Sequence, residues 1–210
     1  MRVSDCVRCN EFPCSDVRHD CYLIPDVEVQ PESISVLLIS EAAPAQSKDH
    51  YYAKGDSLFQ QTTVQAFKDA GAKVSSISDI LELGVYLTTA VKCGKTGYGI
   101  KAATIKQCSL LLEQEIDLLP QVQVLLLMGD VAIKSLNYIG VRAGAGRAIP
   151  KGSTYKIRGD RHHFQGRRAF PSYLQAGASF FIEKSKRKMI AADIAAALGI
   201  VGAVDKERPK

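Results

Sequence analysis

Cys6, Cys9, Cys14 and Cys21 stand within residues 6–21, "CVRCNEFPCSDVRHDC", and the rest of the 210-residue chain holds only Cys93 and Cys108. Clustered thiols in a reducing compartment bind metal or do redox chemistry more often than they form disulfides. Three arrangements fit the spacing. The four early cysteines form a local zinc site, since Cys6-x-x-Cys9 has knuckle spacing. Alternatively, Cys6 and Cys9 join Cys93 and Cys108 around an iron–sulfur cluster, which also takes four thiolates. In the third, the thiols carry no metal and Cys108 is a small core residue.

Apolar residues make up 46% and charged residues 23% of the chain, as in an ordinary globular protein. No apolar run is long enough for a membrane span. The start, Met-Arg-Val-Ser-Asp-Cys, has no apolar h-region, so an intracellular protein is expected. The net charge is +5, and Lys151, Lys156, Arg158, Arg161, Arg167, Arg168, Lys184, Lys186, Arg187 and Lys188 crowd the last third. Such a stretch suits a polyanion, or forms a solvated helix face and loop.

Alternating strands and helices must position these groups. "SVLLIS" (35–40), "VYLTTAVK" (85–92) and "VQVLLLM" (122–128) have the apolar content of buried parallel strands. Helices are expected from Ser57 to Ala70, from Thr104 to Pro120, from Gly129 to about Asn137 and from Ser179 to Leu198. Thr104 and Gln107 have capping-box spacing, and Ile105, Cys108, Leu112, Ile116 and Leu119 make an inward stripe. Glu183 and Arg187 are spaced for an i,i+4 pair. Residues 140–165 show only weak strand signals, and "RRAFPSYLQAG" (167–177) reads as a strand entering a loop at Pro171. The pattern predicts one α/β domain over residues 1–205, a three-layer α/β/α sandwich with a short, mainly parallel central sheet. Residues 1–30 would pack on it, and the tail 206–210 would fray.

Tyr86-Leu87-Thr88-Thr89-Ala90-Val91-Lys92-Cys93, followed fifteen residues later by Cys108, is similar to the "Tyr-Ile-Thr-Asn-Val-Val-Lys-Cys" strand of the uracil-DNA glycosylase superfamily. The resemblance is closest to its iron–sulfur branch (family 4) and runs from Cys6 to the last helix. It implies a [4Fe-4S] cluster on Cys6, Cys9, Cys93 and Cys108, with zinc as the alternative metal. Cys14 and Cys21 are extras, either of which can replace Cys6 or Cys9. It also implies DNA with a damaged base as partner, and a monomer that binds no membrane.

Ser40-Glu41-Ala42-Ala43-Pro44-Ala45 stands where that branch has Gly-Glu-Ala-Pro-Gly, with the proline one place late. By resemblance Glu41 orients the attacking water or stabilises the sugar cation, with Ala42 beside the base and Asp49 and His50 in reserve. Gly55-Asp56-Ser57-Leu58-Phe59 resembles the segment whose Phe stacks on the flipped base, so Phe59 takes that role. Phe170-Pro171-Ser172-Tyr173-Leu174 matches the motif that contacts the DNA backbone and wedges the gap. Pro171, Ser172, Tyr173, Leu174 and Gln175 are the candidate contacts, with Arg168 flanking them.

Two positions depart from the family. Its base-reading Asn falls on Thr89, which has one short hydroxyl in place of an amide. Its motif His, which donates to the leaving base, falls on Phe170, for which His163 or His162 would have to substitute. The expected function is excision of a deaminated base such as uracil from DNA. The rivals are a catalytically weak, lesion-sensing DNA binder and a zinc-stapled nucleotide-binding or hydrolase domain.

Overall fold

The computed structural model describes residues 1–97 and 99–203. Among them, strands β1 (Val17–Arg18), β2 (Val36–Ala43), β3 (Val85–Lys95), β4 (Val124–Met128), β5 (His162–Phe164) and β6 (Arg167–Ser172) form one sheet in the order β1-β3-β2-β4-β6-β5. The pairs β2–β3, β2–β4 and β4–β6 are parallel, and only the outer strands β1 and β5 pair antiparallel. The helices are α1 (Val3–Cys6), α2 (Leu58–Asp69), α3 (Ile77–Glu82), α4 (Ala102–Asp117), α5 (Asp130–Arg142), α6 (Thr154–Ile157), α7 (Ser179–Ile182) and α8 (Lys184–Val201). No helix among the described residues is long and apolar enough to cross a membrane.

Strand periodicity divides the core. Leu37, Ile39, Leu125 and Leu127 face α4 and α5, whereas Val36, Leu38, Val124 and Leu126 face α2, α3 and α8. Both faces of β2 and β4 are therefore apolar, which is why these strands read as continuous runs. The result is the expected α/β/α arrangement. Register aligns Ser40 with Thr89, Ile39 with Leu127 and Met128 with Ser172, so Glu41, Gly129 and Tyr173 all stand at one carboxyl rim of the sheet. Open α/β sheets bind their ligands at that rim.

Several local expectations change. The Ser57 hydroxyl and the Gln60 side chain form a full capping box on α2, but α4 has no such box. Thr104 instead hydrogen-bonds Asp16, whose other oxygen accepts the Lys101 N–H at 2.7 Å. A carboxylate from the cysteine-rich segment thus caps α4 from 85 residues away. β3 runs three residues past Lys92, and β6 runs through Pro171. β5 covers β6 only as far as Ala169, so Pro171 lies where no donor is needed on that side. The last helix breaks at Glu183. Arg187 does not pair with Glu183; it binds Asp69 at the end of α2, and Glu183 takes Lys186 at 2.6 Å. The tail 206–210 lies outside the described residues.

Candidate active site and thiol cavity

Glu41 is the sixth residue of β2 and turns toward the start of α5. There Gly129, at φ +103°, packs so closely that an added Cβ would stand 2.7 Å from both Glu41 Cγ and Oε1. Only glycine allows this backbone angle and this approach together. The carboxylate consequently lies at a helix N-terminus, which favours negative charge. Lys95 Nζ approaches Glu41 Oε2 to 3.4 Å. Both line a cleft of about 470 Å³, together with Ala42, Asp49, Phe59 and Leu174. Sequence reasoning misses Lys95, because β3 is expected to end at Lys92. The available signal was a cation two residues beyond Cys93.

Behind the cleft, Tyr51 is completely buried. Its hydroxyl meets Ser40 Oγ at 2.5 Å and accepts the Gln175 amide at 3.0 Å, and its ring packs 5.4 Å from that of Phe59. Gln175 also donates to Thr63 Oγ1 at 3.4 Å and is fully buried, so it anchors the loop after β6 from inside. Thr89 is buried beside Ser40 and its hydroxyl has no partner among the described residues. His50 is also buried, not exposed to the cleft. Burial first, then the Lys92 charge, lowers it to about 3, which keeps the ring neutral.

Other expected site residues lie elsewhere. Phe170 pairs with Leu126 in mid-strand and belongs to the core, because its side chain points between the sheet and α8. His163 pairs with Arg168, which pairs with Val124 at the start of β4, the opposite end of the sheet from Glu41. Arg168 stacks 4.2 Å over Phe170 and donates to the carbonyls of His162, Ala169 and Asp160. His162 is buried and bonds Ile157 O. Ser172 is buried and donates to Asp193 Oδ2 at 2.6 Å, while Arg158 holds the other oxygen at 2.6 Å. Pro171 is buried too. Tyr173 and Leu174 remain partly exposed, with Lys186 Nζ 5.6 Å from the Tyr173 ring.

The thiols regroup. Cys9, Cys14, Cys93 and Cys108 line one cavity of about 260 Å³. Cys6, at the end of α1, is exposed and outside it. Phe12, in the left-handed region at φ +45°, turns the chain between Cys9 and Cys14. Its ring packs edge-on against His19 and Tyr22, and Tyr22 Oη accepts the Cys9 N–H at 2.9 Å. Cys21 points away and donates to Ala45 O at 3.0 Å. Its Cβ would be 2.7 Å from any Cβ at position 94, so Gly94 lets β3 pass this segment.

The donor set suits a cationic metal group. Burial and neighbouring thiols push Cys93 up to about 12 and Cys108 up to about 11, and burial raises Cys14. Four thiols crowded this way ionise together only beside positive charge. Among the described residues, no three His, Cys, Asp or Glu side chains converge closely enough to hold a metal ion.

Comparison with known proteins gives a family match and a curated relative. One curated relative is the Type-5 uracil-DNA glycosylase of Thermus thermophilus, 33% identical over 85 residues. That match covers 40% of this chain and 38% of the relative, so the chain spans well under half of that protein. The family description "Uracil DNA glycosylase superfamily" matches residues 27–196, which include β2, the cleft residues and most of α8. With the sheet, the Glu41 rim and this long match together, the chain belongs to the uracil DNA glycosylase superfamily.

Proposed function

We propose that this protein is a DNA glycosylase of base-excision repair, hydrolysing the N-glycosidic bond of a deaminated base swung out of DNA. The observation that carries this is the meeting of Glu41, Phe59 and Leu174, from three separate segments, in one cleft at the carboxyl rim. A flipped base needs an aromatic platform, and the gap it leaves needs a wedge. Phe59 offers the first. Leu174 offers the second, beside Tyr173 and the cationic Lys186.

The sugar becomes oxocarbenium-like as the base departs. Glu41, beside Gly129 and Lys95, would stabilise that cation and take a proton from the attacking water. Asp49, in the same cleft, is the reserve carboxylate. Ala42 and the Thr89 end of β3 border the base. Cys9, Cys14, Cys93 and Cys108 are the residues to hold a [4Fe-4S] cluster, which when bound would pin the N-terminal segment to the sheet. Residues 1–30 then form one unit with the sheet, and the protein acts on DNA as a monomer.

One set of observations favours a second reading, a lesion-binding relative with weak catalysis. Phe170 lies in the core and Ser172 is engaged by Asp193, so two motif positions lack their usual functions. Incubation with oligonucleotides bearing uracil, hypoxanthine or xanthine, followed by alkaline cleavage, separates the two. Strand breaks at one or more of these bases are expected. Tight binding with no breaks at any of them selects the binder.

A further inference from the structure

We propose that Lys95 is a catalytic residue that stabilises the departing base, a role resting on the glycosylase reading above. When the C1′–N bond breaks, its electron pair goes to the base, so negative charge spreads over the glycosidic nitrogen and the adjoining carbonyl oxygen of a uracil-type base. Water bonds to C1′, its proton passes to Glu41, and the base anion takes a proton from solvent. Some group must face that anion while it forms.

Among the described residues lining the cleft, Lys95 is the only cation; its charged neighbours there are Glu41 and Asp49. Thr96, next along, donates its hydroxyl to Asp16 O at 2.9 Å and is engaged. Phe170 lies in the core, and His163 lies at the far end of the sheet. Lys95 is 31% exposed, and its Nζ stands 3.4 Å from Glu41 Oε2. A sugar at Glu41 with its base against Phe59 would share the cleft with this ammonium. Its half-buried stem, on a paired strand, limits the reorganisation needed to meet the new charge.

A purely structural Lys95 would act only by holding Glu41, and leaving-group dependence distinguishes the two roles. Single-turnover excision of uracil and of 5-fluorouracil, whose anion is intrinsically more stable, is measured for the wild type, Lys95→Gln and Lys95→Arg. Lys95→Gln is expected to slow uracil excision by roughly 10²–10³-fold and 5-fluorouracil excision by less than about 10-fold, with Lys95→Arg between. Equal losses on both bases, or none, would overturn the proposal. A wild-type protein that excises neither base removes the glycosylase reading itself, and this inference with it.

Discussion

Cys14→Ala is expected to leave the protein colourless, with iron falling from about four atoms per chain to near zero, whereas Cys6→Ala keeps its iron. The difference follows from where the thiols stand. Cys14 shares its cavity with Cys9, Cys93 and Cys108 and lies against Thr104 and Cys108. Cys6 is exposed and outside that cavity. Metal-ligand energy in small modules is folding energy, so loss of the cluster should also release the N-terminal segment. Limited proteolysis then cuts Cys14→Ala within residues 1–30 and spares Cys6→Ala. Iron and acid-labile sulfide are measured on both proteins purified without air. Zinc in place of iron, or loss of metal from Cys6→Ala alone, would reject this ligand set.

The second large effect concerns stability. Lys92 and Glu115 form an ion pair with no exposure on either side. Lys92 Nζ also donates to Thr88 Oγ1 at 2.9 Å and Thr89 O at 2.5 Å, and Thr88 Oγ1 donates to Glu115 Oε2 at 3.0 Å. Burial raises the Glu115 carboxyl, and the Lys92 charge opposes that rise. Glu115→Ala leaves an ammonium buried without its counter-ion and is expected to cost about 3–5 kcal/mol. The double variant Lys92→Met/Glu115→Leu removes both charges and should recover most of that loss. Denaturation midpoints of the three proteins test this. A Glu115→Ala midpoint equal to wild type would show that the pair is not dry.

Much of the fold is legible because it is written in short-range periodicity. The stretches 36–39 and 124–128 have no polar interruption, and the α4 stripe from Ile105 to Ile116 repeats at helical spacing. Contacts between distant segments are not written that way. The Asp16 cap on α4, the Arg187–Asp69 pair and the Ser172–Asp193 bond each join residues whose nearness depends on the finished sheet. Local spacing likewise favours Cys6 with Cys9, yet the left-handed turn at Phe12 presents Cys14. His163 was a candidate by residue type, but strand register sets it at the wrong end. Glu41 could be found because it directly follows the apolar run 35–40. Lys95 is marked only by its charge two residues beyond Cys93, since the sequence pattern ends β3 at Lys92.

The most direct test of the cleft assignment is single-turnover excision of uracil from an oligonucleotide by wild type and Glu41→Gln. The substitution keeps the side-chain shape and removes the charge. The expected result is a rate about 10²–10⁴-fold lower for Glu41→Gln, with DNA binding and iron content unchanged. Equal rates for the two proteins would contradict the assignment of catalysis to Glu41 and its cleft.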